Sequence, residues 1–262
     1  MTRPLYEVTA WYQMFFGGWT ADFPFYLSLS HHHQQGGPIL ECGVGTGRVA
    51  IALARAGHRV HGVDVDVSML RALSERLAHE SDDVRARITQ QQADVRSMTL
   101  GRTFPLIIAP FNGVAHQQDT HAIGEFLRSV RAHLSPGGLF AFDTWIPDPA
   151  LLAGRSVDSP RFRDPRDGTV VRCTETHRYD QSTRLLTMEL AITSLDSDSP
   201  EVLSLTLRQI FPEEMTPLLE DAGFEVLFRT SRFSPYAPGA KGFDEESEDE
   251  RGEMLAWVCR QR

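Results

Sequence analysis

The chain has 262 residues, of which 41% are hydrophobic, and a formal net charge of −9 at pH 7. The length suits a domain with a large core, no apolar run approaches the ~20 residues of a membrane helix, and the acidic balance disfavours a nucleic-acid partner, whose phosphates need clustered lysine and arginine. The amino terminus lacks the layout of a secretory signal. Three scattered cysteines, Cys42, Cys173 and Cys259, favour free thiols in a reducing compartment, so we expect a cytoplasmic protein without a membrane partner.

Aromatic residues are concentrated in the first 37 positions, where we predict helices over 5–17 and 21–33. So many rings ahead of the first core strand predict a helical cap, in which Tyr12 and Trp19 either cover a ligand or only pack against neighbouring rings. The histidine run at 31–33 is typical of an exposed helix end, because consecutive helical residues point in different directions and no other Cys/His pair has ligand spacing. We therefore expect no metal site.

Residues 38–143 alternate between strand-like and helix-like patterns. Apolar residues at helical spacing indicate the helices, and short apolar runs indicate the strands. Regular alternation of this kind predicts a parallel sheet with helices on both faces. The predicted strands are Pro38–Cys42, Arg59–Val63, Ala86–Gln91, Leu106–Pro110 and Leu139–Phe142, the predicted helices are Thr46–Ala56, Ser68–His79 and Asp119–Leu134, and a turn is predicted at Ser135–Gly138.

After residue 146 the pattern changes. A stretch rich in Pro, Asp, Arg and Gly at 147–168 predicts a loop, and short turn-rich segments between the strands that follow predict an antiparallel inserted sheet. The acidic run Asp244–Glu250 predicts a solvated loop. The predicted inserted strands are Thr169–His177, Arg184–Thr193 and Val202–Ile210, and the core is completed by a helix at Glu213–Ala222 and strands at Phe224–Phe228 and Met254–Cys259.

A glycine turn, Gly43-Val44-Gly45-Thr46-Gly47, joins the first core strand to the first core helix. Glycine permits positive φ and close approach of a ligand to the backbone, and the helix start presents free N–H groups. Arg48 stands where a dinucleotide fingerprint has its third glycine, which disfavours a nicotinamide dehydrogenase. Asp64 and Asp94 follow the next two strands, where a carboxylate is placed to bind a ribose or an adenine.

The order of these motifs resembles that of class I S-adenosylmethionine-dependent methyltransferases. The motifs that carry the resemblance are Glu41–Arg48, Gly62-Val63-Asp64, Ala93-Asp94, Leu134–Gly138 and Leu218–Phe224. The aromatic cap and inserted sheet are similar to those of small-molecule enzymes, such as glycine N-methyltransferase-like and antibiotic or sugar amine N-methyltransferases. The resemblance implies an α/β fold, with a doubly wound, mostly parallel, seven-stranded sheet, a small inserted antiparallel sheet and an N-terminal helical cap.

The resemblance also implies the domain organisation and the cofactor, S-adenosylmethionine, with S-adenosylhomocysteine as product. Residues 1–262 would form a single methyltransferase domain. Its parts would be a cap at 1–37, a cofactor-binding half at 38–146, an inserted β substrate lid at 147–211 and the C-terminal part of the core at 212–262.

Individual residues take roles from the same resemblance. Glu41 would order the glycine turn near the methionine amino group, and Arg48 would either reach the methionine carboxylate or form an ion pair on its helix. His116 and Tyr12 are the candidate catalytic groups; the alternative for His116 is a helix-capping or surface histidine. The other implied cofactor contacts are Gly43, Gly45, Asp64, Val65, Asp94, Val95, Pro110, Phe111, Tyr12 and Trp19, and the implied substrate contacts are Asn112, His116, Trp145 and Arg208.

The implied reaction is methylation of a small-molecule amine in secondary metabolism such as antibiotic biosynthesis. A neutral amine needs only a weak base, whereas an oxygen acceptor needs a true base or a metal. The alternatives are O- or C-methylation of a small natural product, and a cofactor-binding protein without transferase activity. The segment Pro110–Gly113 differs from the Asn/Asp-Pro-Pro-aromatic motif of nucleic-acid amino-methyltransferases. The identity of the acceptor and a homo-oligomeric state stay open.

Overall fold

The computed structural model describes residues 2–33, 37–195, 199–233, 235–236, 242–243 and 253–262. The chain divides into two compact units: the insert unit, Met1–Trp19 with Pro147–Gln209, and the core unit, Thr20–Ile146 with Ile210–Arg262. The segment 1–37, predicted as one cap, is therefore divided between the two units. Within the described ranges, no helix is long and apolar enough to cross a membrane.

Helices and strands alternate through most of the core unit. The helices are α1 (Thr9–Phe16), α2 (Phe23–His33), α3 (Arg48–Arg55), α4 (Val67–Leu77), α5 (Asp82–Arg85), α6 (Thr120–His133), α7 (Pro149–Leu152) and α8 (Pro212–Asp221), with 3-10 helices at Leu5–Glu7 and Val114–His116. The strands are β1 (Thr2–Pro4), β2 (Ile39–Cys42), β3 (Val60–Asp64), β4 (Ile88–Gln92), β5 (Phe104–Ala109), β6 (Leu134–Trp145), β7 (Ser156–Asp158), β8 (Phe162–Arg163), β9 (Val170–Asp180), β10 (Leu185–Ser194), β11 (Glu201–Arg208), β12 (Phe224–Thr230), β13 (Gly242–Phe243) and β14 (Met254–Gln261).

The core unit contains the predicted doubly wound sheet. Its strand order is β13-β12-β14-β6-β5-β2-β3-β4, so the seven predicted strands are joined by the two-residue β13 at one edge. The strands from β4 to β6 pair in parallel, and β14 runs antiparallel to both of its neighbours. The chain leaves β2 toward β3 and β4 and then returns to β5, so the carboxyl ends of β2 and β5 form a topological switch point, where ligands bind in such sheets.

Helix packing follows the predicted apolar stripes. α6 buries Ile123, Phe126, Leu127 and Val130, which recur at the three- and four-residue spacing of one helix face. α4 begins at Asp66, whose side chain accepts the N–H groups of the helix's first turn. These helices cover the sheet and leave the strand ends as the edge on which polar groups collect.

Two predictions about the connecting segments are wrong. The turn at Ser135–Gly138 lies within β6, as an irregularity between Leu134, opposite Phe104, and Leu139, opposite Leu106. The segment 147–168 is not all loop, because it contains α7, β7 and β8. Asp148 caps α7 by accepting the N–H of Ala150, so the Pro and Asp residues that predict a loop here begin a short helix.

The insert unit contains the predicted antiparallel sheet, in the order β1-β11-β10-β9-β7, with β8 also paired to β9. β10 pairs with β9 and β11 in antiparallel fashion and buries every second residue from Leu186 to Ile192. β1, which adds in parallel to β11, is not among the predicted elements. Trp11 of α1 is fully buried, with the ring of Phe162 edge-on at 5.9 Å. The acidic run Asp244–Glu250 lies outside the described residues.

Candidate functional site

The glycine turn closes β2 and opens α3. Gly43, Gly45 and Gly47 all have positive φ, at 72°, 53° and 79°. A Cβ added at Gly43 would meet nothing within 4 Å, and one at Gly45 would meet only a backbone oxygen at 4.0 Å. At Gly47 it would lie 2.3 Å from Leu73. Gly47 therefore serves the packing of α3 on α4, whereas Gly43 and Gly45 leave open space against which a ligand can lie.

Asp64, at the end of β3, joins its own strand to the glycine turn. Its Oδ2 accepts the N–H of Gly45 at 2.8 Å, and its Oδ1 accepts the N–H of Asp66 at 2.9 Å. Burial raises the pKa of this half-buried carboxyl. The next residue, Val65, is 65% exposed, so a carboxylate and an uncovered apolar side chain lie side by side at this strand end.

Asp94 follows β4 and is held by a residue two positions along the chain. Nε of Arg96 donates to Oδ1 at 3.0 Å, Nη2 donates to Oδ2 at 2.6 Å, and the Arg96 N–H donates to Oδ1 at 2.9 Å. These hydrogen bonds hold the pKa of Asp94 below its usual range. Asp94 and the neighbouring Val95 are half-buried, and their contact with an adenine stays a prediction.

Arg48 forms a buried, two-pronged ion pair with Asp22, which precedes α2. Nη1 donates to Oδ1 at 2.6 Å and Nη2 donates to Oδ2 at 2.7 Å, and the two side chains are 9% and 1% exposed. The guanidinium also lies over the rings of Phe23 and Phe111, with centroids at 5.6 and 5.1 Å. Of the two predicted roles, the ion pair is present, but its partner is remote in sequence rather than on the same helix.

Glu41, within β2, is only 3% exposed. Its Oε2 has no hydrogen-bond partner in the part of the chain that the structure describes. Burial raises the pKa of Glu41 to about 8; Arg48 opposes this rise, and Asp22 and Asp64 add to it. Glu41 is therefore a neutral acid at pH 7.

A second buried carboxyl group, Asp143 of β6, fixes the backbone that follows β5. It accepts the hydroxyl of Tyr26 at 2.6 Å and the N–H groups of Phe111 and Asn112 at 3.0 and 3.1 Å. Phe111 and Asn112 both have positive φ, at 55° and 65°, a conformation that non-glycine residues adopt at an energetic cost. Burial raises the pKa of Asp143 to about 7, with a further rise from Asp22.

Asn112 extends this network to the end of β6. Its Oδ1 accepts the N–H of Trp145 at 2.6 Å, while its buried Nδ2 has no partner among the described residues. Pro110, before it, is buried. His116 ends the 3-10 helix that follows, and burial lowers its pKa to about 4. The imidazole is therefore neutral at pH 7.

The core unit thus brings together the predicted residues from the glycine turn to Trp145. Tyr12, Trp19 and Arg208 belong to the insert unit. There, Tyr12 packs against the rings of Tyr6 and Phe16, at 5.4 and 5.6 Å. Arg208 donates to a backbone carbonyl within its own hairpin. Their contacts with a cofactor or substrate stay predictions.

Asp22 and Tyr26 take part in the site, although the sequence assigns them no role there. Asp22 precedes a helix, a position where aspartate is common as a cap. Tyr26 is one of many aromatic residues in its segment. Their partners, Arg48 and Asp143, are far away in sequence, so no local pattern marks either pairing.

Comparison with known proteins places this geometry in a family. Residues 39–138 match a family model described as a methyltransferase domain. A cypemycin N-terminal methyltransferase from a Streptomyces species is 33% identical over 138 residues, which are 52% of this chain and 54% of that protein. A ubiquinone/menaquinone biosynthesis C-methyltransferase from Syntrophotalea carbinolica is 35% identical over 147 residues, which are 55% of this chain and 59% of that protein. The chain spans little more than half the length of these two curated relatives.

The fold is shared more widely than the sequence. The solved structure of the CcbJ methyltransferase from Streptomyces caelestis has a TM-score of 0.74 to this chain, at 23% identity, over 92% of this chain and 90% of that one. The likeness confirms the predicted class I methyltransferase fold. The matched domain and the shared fold together identify the chain as a member of the class I methyltransferases.

Proposed function

We propose that the protein is an S-adenosylmethionine-dependent N-methyltransferase of a small-molecule amine. The observation that carries the cofactor assignment is the charge balance beside the glycine turn. Three buried carboxyl groups, those of Asp22, Glu41 and Asp143, share one buried cation, Arg48. An excess of acid in a buried site favours a nucleoside with a sulfonium and an ammonium, and opposes the pyrophosphate of a dinucleotide.

The remaining features fit the other parts of this cofactor. The open faces of Gly43 and Gly45 suit the methionine and ribose portions. Each Asp64 oxygen accepts one backbone N–H, and a carboxylate oxygen has a second lone pair for a ribose hydroxyl. The exposed Val65 offers an apolar surface for the adenine, and Asp94 with Val95 would hold its edge.

When bound, S-adenosylmethionine supplies a methyl group that is already activated on a sulfonium. The chain must then hold the acceptor nitrogen ~3 Å from that carbon, in line and away from water. We assign the positioning to the rigid segment Pro110–Asn112, which Asp143 fixes. His116, neutral at pH 7, is the proposed base, and a weak base suffices for an amine. Tyr12, Trp19 and Arg208 remain proposed contacts from the insert unit.

The amine acceptor has support from sequence similarity. The relative that is 33% identical is named for methylation at an N-terminus. A relative that is 35% identical is named as a C-methyltransferase, which keeps carbon methylation as the second candidate. The neutral imidazole with a low pKa suits the first reaction better, because removing a proton from carbon needs a stronger base.

The cofactor assignment can be tested by calorimetry. We expect S-adenosylmethionine and S-adenosylhomocysteine to bind and NAD to give no binding heat. Tight binding of NAD with no response to S-adenosylmethionine would overturn the assignment.

The acceptor assignment can be tested with a radiolabelled methyl group and a panel of amines, phenols and carbon acids. We expect label in amines, reduced in His116→Asn. His121→Asn is the matched control, because His121 is exposed on α6 beside Glu125, and it should retain wild-type rates. Transfer to phenols or carbon acids alone would reject the amine proposal.

A further inference from the structure

The buried acids at the end of β2 do not share Arg48 equally. Both guanidinium Nη atoms donate to Asp22, one to each carboxylate oxygen. The groups that act electrostatically on Glu41 are Arg48 from α3, Asp22 from ahead of α2 and Asp64 from β3; Cys42 is its neighbour along the strand. With the Arg48 fork already bonded to Asp22, Glu41 has no cation of its own.

Two features of Glu41 point to a ligand. It is 3% exposed, and its Oε2 has no hydrogen-bond partner among the described residues. It also stands immediately before Cys42 and the glycine turn, whose Gly43 leaves open space on its outer face. A buried carboxyl oxygen left without a partner is costly, and a cation that reaches the turn would provide the missing interaction.

We propose that Glu41 is the residue by which the site distinguishes the sulfonium cofactor from the thioether product. In the ligand-free protein Glu41 is a neutral acid. It releases its proton to solvent when S-adenosylmethionine binds, and it keeps that proton when S-adenosylhomocysteine binds. This inference rests on the proposed function, and it adds a selectivity that the proposed function does not require.

The charge difference between the two ligands is what makes the discrimination possible. Both carry the same ammonium and carboxylate, and only S-adenosylmethionine has a further positive charge on sulfur. An opposite charge within ~4–6 Å lowers a carboxyl pKa by about 1–3 units. Since the pKa of Glu41 is about 8 without ligand, a fall of that size carries the group through neutral pH. The neutral thioether has no such effect.

The test is calorimetric titration of the full chain at pH 7 with each ligand, in phosphate and in Tris, whose heats of protonation differ. The difference in apparent enthalpy between the buffers gives the number of protons released. We expect S-adenosylmethionine to release about one proton more than S-adenosylhomocysteine. We also expect its affinity relative to the product to rise by up to about tenfold per pH unit below pH 8.

Glu41→Gln keeps the shape of the side chain and removes the proton. In this variant the two ligands should release equal numbers of protons, and the ratio of their affinities should not change with pH. Asp64→Asn is the matched control, because it removes another carboxyl at the same turn and should retain the difference between the ligands. The wild-type comparison decides the question even if Glu41→Gln does not fold.

Three results would overturn the inference. Equal proton release by both ligands would mean that Glu41 responds to a group they share. Binding of both without proton release would mean that Glu41 does not titrate, while the proposed cofactor would stand. Failure of both to bind the wild-type chain would overturn the proposed function and this inference with it.

Discussion

The two ends of the candidate site are built in opposite ways. At the ends of β2 and β6, Glu41 and Asp143 are buried, and Asp143 has all of its donors in place before any ligand arrives. At the ends of β3 and β4, Val65 is exposed and Asp94 is half-buried. The first end is part of the core, whereas the second is a surface that a ligand would cover. Substitutions at the first end should therefore change the stability of the fold, and those at the second should change binding.

The largest expected effect is from Arg48→Met, which leaves the Asp22 carboxylate buried without its cation. Removing one partner of a buried ion pair costs about 3–5 kcal/mol. The matched control is Arg96→Met, which breaks the two-pronged pair with Asp94; the side chains of that pair are 45% and 33% exposed, so the loss should be below about 1 kcal/mol. Urea unfolding measures both. Equal losses would mean that the two ends do not differ in this respect.

The next effect concerns the pH dependence of stability in the ligand-free chain. In the unfolded chain Glu41 ionises near its usual pKa of 4.5, and in the folded chain it keeps its proton up to about pH 8. The unfolded state therefore binds fewer protons across this window, and wild-type stability falls as pH rises through it. Glu41→Gln removes this loss, so its stability relative to wild type should rise by up to about 1.4 kcal/mol per pH unit.

Thermal or urea unfolding at pH 5, 6, 7 and 8 measures this difference. Asp143 also has a raised pKa, of about 7, but it is present in both proteins and cancels in the comparison. A constant difference between the two proteins over this range would contradict a neutral, buried Glu41.

The fold was largely predictable because its signals are local. The apolar stripe of α6 and the apolar run of β5 lie within single elements, and their periods identify them. The segment 147–168 was predicted less well, because Pro149 and Asp148 suit a loop as well as a first helical turn. β1 was missed because three exposed residues, Thr2–Pro4, have no pattern, and only their pairing with β11 makes them a strand.

The candidate site was predictable in the same uneven way. Asp64 was found because it ends a strand beside a glycine turn, a relation that spacing preserves. The network of Asp22 with Arg48 and of Tyr26 with Asp143 joins residues that only the fold brings together. Burial decides whether such a carboxyl is charged, and burial of a single polar residue has no sequence pattern.

A smaller effect is expected from Asp64→Ala, now on ligand affinity. Loss of the acceptor for ribose hydroxyls should weaken S-adenosylmethionine by about 1–3 kcal/mol, which is about 5- to 150-fold in Kd. Asp94→Ala should cost less, because Arg96 already occupies that carboxylate. Calorimetry of both variants ranks the two positions, and an unchanged Kd in Asp64→Ala would remove Asp64 from the proposed site.

The smallest effect is expected from Val65→Ala. Because Val65 is 65% exposed, the change removes little buried surface and should leave the free energy of unfolding within about 0.5 kcal/mol of wild type. If an adenine covers this side chain, the lost methyl groups should weaken S-adenosylmethionine by about 1 kcal/mol, or about fivefold in Kd. Val67→Ala is the matched control, since Val67 is 50% exposed at the start of α4 and has no proposed ligand contact. Equal Kd values for the two variants would show that the adenine does not lie on Val65. A loss confined to Val65→Ala, with stability unchanged, would establish that this end of the site serves binding alone.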